Sequence, residues 1–310
     1  MTPKRSIRRQ ACIGEVMIEL ATDPQGQIRL GVAGDTYNTA VYLKRLMQAP
    51  DAGVSYVTAL GTDRFSERIL ADMASHGIDA TCIERRKDKS PGLYAIDTDE
   101  SGERSFTYWR SDSAARTLFS APGEITPDVL DQFDLVYMSA ITLAVLPAPV
   151  RALLAERIDR FRSAGGWFGF DSNYRPTLWE DAETARDWTM RFWSRADLAL
   201  PSVDDEMALF GESREDQVLT RLAKAGVTRG ALKRGAEGPL CLESKTVPDG
   251  LSRVDRVVDS TAAGDSFNAG YLAAIADGCD DHEAMRRGHN LAARVIAYRG
   301  AIIPQEAMPD

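Results

Sequence analysis

Segments of strand length and segments of helix length alternate along most of this chain. In the first third, the strand-like "ACIGEVMIEL" and "VSYVTAL" are followed by the helix-like "DTYNTAVYLKRLM" and "DRFSERILADMASHG". From residue 134 the alternation resumes with "DLVYMS", "VRALLAERIDRFRSAG", "WFGFD", "AETARDWTMRFWSRA" and "DLALPS". Parallel strands need a long crossover between them, which a helix normally provides. We therefore predict an α/β fold with a central, mostly parallel sheet and helices on both faces.

One segment breaks this alternation. "PGLYAIDTDESGERSFTYWRS", residues 91–111, is typical of two strands joined by a polar turn at Asp99 to Gly102, with no helix between them. Tyr108 and Arg110 are two residues apart, so that strand geometry points both to one face. A strand pair rich in aromatic residues favours a lid or an interface, and an edge hairpin that merely completes the sheet is the alternative.

Length and charge limit the classes of protein to which the chain can belong. Its 310 residues are enough for one large core, so we expect a single domain over 1–310. The 46 acidic residues outnumber the 37 basic ones, and a net charge of −9 argues against a nucleic-acid partner. Glu15 and Glu19 interrupt the apolar run that a signal peptide would need after the basic start. We expect a cytoplasmic protein with no membrane partner, and a homo-oligomer.

The stretch "DSTAAGDSFNAGYLAA", residues 259–274, places Asp265 in the first turn of a predicted helix. The helix is indicated by four apolar residues on one face, Phe267, Tyr271, Leu272 and Ile275. The first amides of a helix have no internal partner and favour an anion. The small residues Ala262, Ala263 and Gly264 would let an anion reach these amides. The alternative is that Asp265 simply caps the helix.

Three polar clusters follow predicted strands at their carboxyl ends. They are "FDSNYRP" at 170–176, "LPSVDDE" at 200–206 and "LKRGAEG" at 232–238. Ligands of open α/β sheets bind outside the carboxyl ends of the strands. We therefore expect these clusters to converge on one binding site.

The motifs together identify a family. "DSTAAGDSF" resembles the C-terminal signature of the ribokinase-like, or PfkB, family of carbohydrate kinases, and "AGDTYNTAVYLKRL" at 33–46 resembles its N-terminal substrate motif. "LGTDRFSERILADMASHGID" fits the family between them, and the resemblance runs from about residue 12 to residue 303. It implies a ribokinase-like fold with a small β lid, which we place at about 16–33 and 91–112. It also implies ATP and Mg²⁺, with a monovalent cation as a further candidate cofactor.

The resemblance assigns roles to the two motifs. It makes Asp265 the base that accepts the proton of a sugar hydroxyl, with the amides of Ala262, Ala263, Gly264 and Asp265 as the anion hole. Gly34, Asp35 and Asn38 fall on the substrate motif. Asp35 could instead be only the N-cap of a helix over 36–47. Many family members have Gly at the position of Ala262, and Ala is tolerated there if its φ is negative.

The residues expected to bind the nucleotide match the family's motifs less closely. Lys233, Gly235 and Gly238 match the stretch that passes beside the nucleotide in the family. Asn290 falls where the last helices border the adenine, although a lone Asn on a helix is usually solvated. The family's Asn-x-x-Glu element stands here as Ser202 to Asp205, so that Ser202 is placed with the nucleotide. Asp205 or Glu206 could then bind Mg²⁺ through water.

The substrate expectation rests on a subgroup of the family. "GEVMIEL", "FTYWRSDSAAR", "DSNYRPTLW" and "LPSVDDE" are similar to the family's kinases for a sugar acid. We expect ATP-dependent phosphorylation of 2-keto-3-deoxygluconate at its terminal hydroxyl, giving 2-keto-3-deoxy-6-phosphogluconate. Arg110, beside Tyr108 and Tyr94, and Arg175 are candidates to pair with the substrate carboxylate. A kinase for fructose or another neutral sugar, and a sensor that binds a sugar acid without turnover, are the alternatives.

Overall fold

The computed structural model describes residues 3–22, 26–98 and 104–309. Within them the strands are, in chain order, β1 (Arg9–Ile13), β2 (Met17–Thr22), β3 (Ile28–Ala33), β4 (Gly53–Leu60), β5 (Ile83–Arg85), β6 (Gly92–Thr98), β7 (Arg104–Trp109), β8 (Leu135–Ser139), β9 (Trp167–Asp171), β10 (Leu198–Leu200), β11 (Ala231–Leu232) and β12 (Leu240–Cys241). The α-helices are α1 (Asp35–Leu46), α2 (Arg64–Ser75), α3 (Ala140–Val145), α4 (Ala148–Ser163), α5 (Ala182–Trp193), α6 (Val203–Phe210), α7 (Glu215–Lys224), α8 (Ala263–Ala276) and α9 (Asp281–Val295).

Six strands form a central parallel sheet in the order β10-β9-β8-β1-β4-β5. Alternate side chains of β1 enter two hydrophobic cores, Ala11 and Ile13 on one face and Cys12 on the other. Residues of α3 to α7 complete the first core, and residues of α1, α2, α8 and α9 complete the second. A parallel sheet has apolar side chains on both faces and must be covered on both. The predicted α/β architecture is confirmed.

The strand-like segment "ACIGEVMIEL" is two strands rather than one. The chain leaves the central sheet after Ile13 and enters a second sheet at Met17. The residues between the two strands include Glu15, which is buried. This crossing places the end of a central strand next to the start of the second sheet.

The second sheet has four strands in the order β3-β2-β6-β7. β6 and β7 pair antiparallel with Tyr94 opposite Tyr108, as the aromatic strand pair predicted, and β2 joins β6 in parallel. The predicted turn at Asp99 to Gly102 lies outside the described residues. These four strands are called the lid sheet below.

The helix α8 is buried on all sides from Ser266 to Ile275, not only on its predicted apolar face. It packs closely against α9, because a Cβ added to Gly270 would lie 2.8 Å from the Cα of Gly288. A helix held in this way presents its first turn at a fixed position. In the part of the chain that the structure describes, no helix is long and apolar enough to cross a membrane.

Candidate active site

A cleft of about 1100 Å³ lies between the carboxyl edge of the central sheet and the lid sheet. Met17, Tyr94, Phe106 and Tyr108 line it from the lid sheet. The three polar clusters at the carboxyl ends of β9, β10 and β11 all contribute to its wall, through Asp171, Asn173, Arg175, Ser202, Asp205 and Lys233. The first turn of α8 closes one side. The structure therefore brings the two sequence motifs and the strand-end clusters to one place.

The first turn of α8 lines the cleft with Ala262, Ala263, Gly264 and Asp265. Ala262 is the N-cap and has φ 60° and ψ 17°, so the condition of a negative φ is not met. The chain needs a left-handed residue here to turn from the extended segment into the helix, and Ala adopts it at a steric cost. No side chain hydrogen-bonds the N-terminus of this helix. The amide of Ala263 donates to the carbonyl of Ser260 at 3.2 Å, and the amides of Gly264 and Asp265, which follow it in the first turn, are the ones available to bind an anion.

Asp265 does not act as a helix cap. Its Oδ2 accepts a 2.9 Å hydrogen bond from Nδ2 of Asn38 on α1. Burial, and after it the negative charge of Asp35, raise the pKa of Asp265 to about 8, although the hydrogen bond from Asn38 acts in the opposite direction. A carboxylate with a pKa near neutrality is suited to accept and release a proton.

The substrate motif lies at the start of α1. Gly34 is required by close packing, since a Cβ there would lie 2.3 Å from the carbonyl oxygen of Glu15. Gly34 is also the N-cap of α1, so Asp35 is not. The carboxylate of Asp35 instead accepts hydrogen bonds from Oγ of Ser139 and, at 2.9 Å, from Nδ2 of Asn173. Asn38 is buried, and its Oδ1 has no hydrogen-bond partner among the described residues.

Lys233 lies at the centre of a polar network beside Asp265. Its Nζ donates to Oδ1 of Asp171 at 2.7 Å and to Oδ1 of Asn268 at 3.1 Å. Nδ2 of Asn268 completes the network by donating to Oδ2 of Asp171 at 2.8 Å. A Cβ on Gly264 would lie 3.5 Å from Nζ, so the ammonium group faces the first turn of α8. This cation and the helix amides are arranged to stabilise an anion between them.

Aromatic rings of the lid sheet cover the opposite wall. Tyr94 is buried and stacks obliquely on Tyr108 with ring centroids 5.7 Å apart, and Phe106 lies 6.3 Å from Tyr108. The hydroxyl of Tyr94 donates to the carboxylate of Glu19 on β2. Tyr108 is half exposed, so its ring presents a face to the open cleft.

Arg110 has a partner within the protein. Its Nε donates to Oε2 of Glu15 at 2.7 Å, and its Nη2 donates to the same oxygen. Arg110 is only 9% exposed and Glu15 only 1% exposed. The side chain is therefore not a solvated surface arginine. It lines the cleft, but its charge is already matched by a buried carboxylate.

The two carboxylates predicted to bind a metal ion, Asp205 and Glu206, lie in different surroundings. Asp205 lines the cleft, where burial raises its pKa and Nη1 of Arg175 lies 3.3 Å from its Oδ1. Glu206 points away into the core, where it accepts a hydrogen bond from Nε1 of Trp193 at 3.1 Å. It also lies 2.9 Å from Nη1 of Arg221, and burial raises its pKa to about 7. Glu206 cannot contact a metal ion in the cleft as predicted.

Three predicted nucleotide residues lie outside the cleft wall. Gly235 and Gly238 flank the short turn after β11 and have φ of 56° and 79°, which explains the two glycines conformationally. Asn290 on α9 accepts a 2.8 Å hydrogen bond from the backbone amide of Ser252. It fixes a loop rather than being solvated.

Several functional candidates were not singled out from the sequence. Asp171 and Asn173 belong to the predicted strand-end cluster 170–176, and their position directly after β9 was the available signal. Asn268 gave a weaker signal, a polar residue within an apolar helix. Arg116, which also lines the cleft, is the last residue of the quoted stretch "FTYWRSDSAAR", but it was not named as a site residue.

A parallel sheet, a lid sheet and an aspartate at a helix N-terminus between them define a ribokinase-like sugar kinase. The chain belongs to the pfkB family of carbohydrate kinases, whose family model matches residues 8–308.

Two relatives cover nearly the whole chain. It is 45% identical over 306 residues to a protein of Dickeya dadantii called 2-dehydro-3-deoxygluconokinase, covering 96% of this chain and 98% of that one. It is 41% identical over 310 residues to the protein of the same name from Escherichia coli K12, with 97% and 99% covered. A fructokinase of Klebsiella pneumoniae is 28% identical over 273 residues, covering 85% of this chain and 83% of that one.

Solved structures share the fold. A PfkB protein from Polaromonas sp. JS666 aligns with a TM-score of 0.78 at 26% identity, covering 93% of this chain and 95% of that one. A fructokinase from Xylella fastidiosa, solved with bound ATP, aligns with a TM-score of 0.81 at 23% identity, covering 97% and 95%.

Proposed function

We propose that this chain catalyses the transfer of the γ-phosphoryl group of ATP to the terminal hydroxyl of 2-keto-3-deoxygluconate, also called 2-dehydro-3-deoxygluconate. The observation that carries the chemistry is the carboxylate of Asp265, with its raised pKa, in the first turn of α8 and near the ammonium group of Lys233. The relatives named above support the choice of substrate.

In the proposed reaction, Asp265 accepts the proton of the sugar hydroxyl as its oxygen forms a bond to the γ-phosphorus. The bond between that phosphorus and the β–γ bridging oxygen breaks, and ADP leaves. The amides from Ala262 to Asp265, together with Lys233, stabilise the negative charge on the phosphate oxygens. Asp265 then releases the proton to solvent. Phosphoryl transfer of this kind depends mainly on positioning and charge stabilisation.

Asp35 and Asn38 are proposed to bind hydroxyl groups of the sugar. Asn38 already donates to Asp265 and has a buried Oδ1 without a partner, so a substrate hydroxyl that donates to Oδ1 would satisfy it. Tyr94 and Tyr108 would cover the carbon chain from the lid sheet. Arg110 and Arg175 border the part of the cleft proposed for the sugar. Ser202 and Asn290 are proposed to lie beside the nucleotide.

Mg²⁺ would bring charge neutralisation to the phosphates when bound. Among the described residues, no cluster of three or more His, Cys, Asp or Glu could hold a metal ion. This fits an ion whose ligands are mostly phosphate oxygens and water, as is usual for Mg²⁺. Asp205 is the carboxylate in the cleft that could contact such an ion through water.

A coupled assay of ADP release tests the proposal with a panel of 2-keto-3-deoxygluconate, gluconate, fructose and ribose. We expect kcat/KM for 2-keto-3-deoxygluconate to exceed that for fructose by at least about tenfold. Equal or higher efficiency with fructose would favour a neutral-sugar kinase. Tight binding of the sugar acid with no ADP release would indicate a sensor.

A further inference from the structure

The ammonium group of Lys233 has three N–H donors, and two of them are used within the protein. They bind Oδ1 of Asp171 at 2.7 Å and Oδ1 of Asn268 at 3.1 Å. Within residues 3–22, 26–98 and 104–309, Nζ makes no third hydrogen bond. The donors of an ammonium group are arranged tetrahedrally, so two fixed bonds determine where the third N–H points. This third N–H is left for a group in the cleft, which Lys233 lines.

Asn268 is fully buried on α8, and its amide group is held in one orientation. Its Nδ2 donates to Oδ2 of Asp171 and to the hydroxyl of Tyr137, both at 2.8 Å. Both N–H donors are thus used, and Oδ1 faces the ammonium group of Lys233. Burial raises the pKa of Tyr137 well above its usual value, so its hydroxyl remains a neutral partner. A flipped amide would direct its N–H groups at a cation, which their charge disfavours.

Asp171 alone would hold Lys233 differently. This carboxylate is only 2% exposed, and each of its oxygens has a donor, Nζ of Lys233 on Oδ1 and Nδ2 of Asn268 on Oδ2. Without Asn268, Oδ2 would lose its donor. Buried acceptors are rarely left unpaired, so the ammonium group would move to bind both carboxylate oxygens and would withdraw from the cleft. Asn268 prevents this movement by occupying Oδ2 and by binding Nζ with its own oxygen.

Asn268 and the proposed base Asp265 are three residues apart on the same helix. Three residues are nearly one turn, so the two side chains lie on one side of α8. The helix is buried from Ser266 to Ile275, which fixes its position. One helix therefore places the base directly and the cation through Asn268. Catalysis depends on such positions, and a misplacement of about 1 Å can lower a rate by about 10²-fold.

We infer that Asn268 is a positioning residue, which directs the third N–H of Lys233 toward the phosphoryl group while it is transferred. This inference rests on the proposed function, because that function assigns Lys233 to the phosphates. The competing explanation is that Lys233 only neutralises the buried Asp171 and that Asn268 only completes the core. In that case Asn268 contributes to stability and not to the rate of phosphoryl transfer.

A double-mutant cycle on Asn268 and Lys233 separates the two explanations. Lys233→Met should lower kcat by roughly 10²–10³, the usual loss when one prearranged donor is removed. Asn268→Ala should lower kcat by roughly 10-fold to 100-fold and leave the KM for ATP and for the sugar acid within about threefold. In the Lys233→Met background, Asn268→Ala should change kcat by less than about threefold, because it acts through Lys233.

Further variants keep the test decisive if one of these proteins fails to fold. Asn268→Ser has a side chain one atom shorter and should show the same pattern as Asn268→Ala. The double variant Asp171→Asn/Lys233→Met removes both charges of the buried pair, and it replaces Lys233→Met as the background if the single variant unfolds. Ser55→Ala is the matched control, because it also removes a buried donor to a carboxylate, Oδ2 of Asp79 at 2.8 Å, but outside the cleft wall. Its kcat should stay within about twofold of wild type.

Losses that multiply in the double variant would overturn the inference, because Asn268 would then act independently of Lys233. A kcat of Lys233→Met within about threefold of wild type would also overturn it and make Lys233 only the partner of Asp171. An unchanged kcat in Asn268→Ala, with or without a change in KM, would do the same. In each case the wild-type enzyme still phosphorylates the sugar acid, and the proposed function stands. A wild-type enzyme that releases no ADP with the sugar acid would refute the proposed function, and this inference with it.

Discussion

Asn38 and Asp265 are 227 residues apart in the sequence, and Nδ2 of Asn38 donates a 2.9 Å hydrogen bond to Oδ2 of Asp265. The bond joins the start of α1 to the first turn of α8. A second link is made by the hydroxyl of Thr39, which donates to the backbone carbonyl of Asp265 at 3.2 Å. The two sequence motifs thus form one unit, in which the sugar-side helix fixes the orientation of the proposed base.

The first prediction concerns the role of Asp265 as a base. Asp265→Asn keeps the shape of the side chain but cannot accept the substrate proton. We expect kcat to fall by about 10²–10⁴, the usual contribution of a positioned proton acceptor, while the affinity for ATP is retained. Steady-state kinetics and a nucleotide-binding titration measure the two quantities.

Asp277→Asn is a matched control, because Asp277 is the C-cap of the same helix and pairs with Arg287 on the protein surface. It should leave kcat within about twofold, as expected of an exposed ion pair. If Asp265→Asn retains more than half of the wild-type kcat, Asp265 is not the base.

The second prediction concerns the pH dependence of catalysis. Asp265 must be ionised to accept a proton, and its pKa is raised to about 8, mainly by burial. Below that pH most of the free enzyme carries a protonated Asp265 and is inactive. We expect kcat/KM to rise about tenfold per pH unit up to about pH 8 and then to level off, since kcat/KM reports the free enzyme. A flat profile between pH 6 and pH 8 would contradict the assignment.

The third prediction concerns the effect of the raised pKa of Asp265 on the stability of the fold. The folded protein holds the Asp265 proton up to about pH 8, whereas the unfolded chain releases it near pH 3.8. Between these values the folded state binds more protons, so the free energy of unfolding contributed by this group falls as the pH rises. The variant Asp265→Asn has no titrating group at this position, so its free energy of unfolding does not fall in this way. At pH 8.5 it should be more stable than wild type by at least about 1.4 kcal/mol, the equivalent of one pKa unit.

Urea unfolding at pH 5 and at pH 8.5 measures this difference. The stability of the variant relative to wild type should increase from pH 5 to pH 8.5, because wild type loses stability throughout this interval. An advantage that does not change with pH would mean that the carboxylate is not held in its protonated form by the fold.

The fourth prediction concerns the left-handed Ala262. Glycine adopts φ near 60° without the Cβ clash, so Ala262→Gly should raise the free energy of unfolding by about 0.5–1 kcal/mol. Ala263→Gly is the control, because Ala263 is the first helical residue, where glycine should instead cost up to about 1 kcal/mol. Thermal unfolding of the two variants should therefore shift in opposite directions. Destabilisation by both would show that Ala262 is not strained.

Most of the fold was predictable because its elements carry local signals. The helix α2 begins after Asp63, which caps it through Phe65 and Ser66, and it ends at Ser75, two residues before Gly77 with φ 67°. The split of "ACIGEVMIEL" was not predictable, because both halves are apolar and strand-like. Only the packing of two separate sheets decides that β1 ends at Ile13.

The site was predictable where a motif or a strand end marks a residue. Asp265 and Asp35 lie in motifs. The clusters after β9 and β10 converge because these parallel strands end at one edge, and the cluster after β11 joins them because isolated parallel bridges hold that segment beside β10. Side-chain partners were not predictable. Glu206 follows Asp205 directly, but helical geometry turns it into the core towards Trp193. No local pattern distinguishes these two neighbouring carboxylates.

The last prediction concerns Glu15 and Arg110, which are 95 residues apart and form an ion pair between the end of β1 and the end of β7. Both side chains are almost fully buried. Removing one partner leaves an unpaired charge away from water, which typically costs about 3–5 kcal/mol. Replacing both partners with apolar groups leaves no charge behind. The cost of the double change should therefore be much less than the sum of the single costs.

A double-mutant cycle tests this with Glu15→Leu, Arg110→Met and the double variant. Urea titrations give the free energy of unfolding of each. We expect each single variant to lose about 3–5 kcal/mol, and the double variant to recover at least about 2 kcal/mol relative to additivity. The exposed ion pair of Arg214 and Asp216 is a reference. Its coupling free energy in the same kind of cycle should be below about 1 kcal/mol.

The same variants separate the two possible roles of Arg110 in substrate binding. If Arg110 mainly completes the cleft wall with Glu15, Arg110→Met lowers kcat/KM for the sugar acid and for its neutral amide by similar factors. If Arg110 instead holds the substrate carboxylate, the loss is confined to the acid. Because Oε2 of Glu15 already accepts both the Nε and the Nη2 hydrogen bonds of Arg110, we expect the first result. An acid-specific loss together with additive stabilities would reverse this conclusion and return the carboxylate to Arg110.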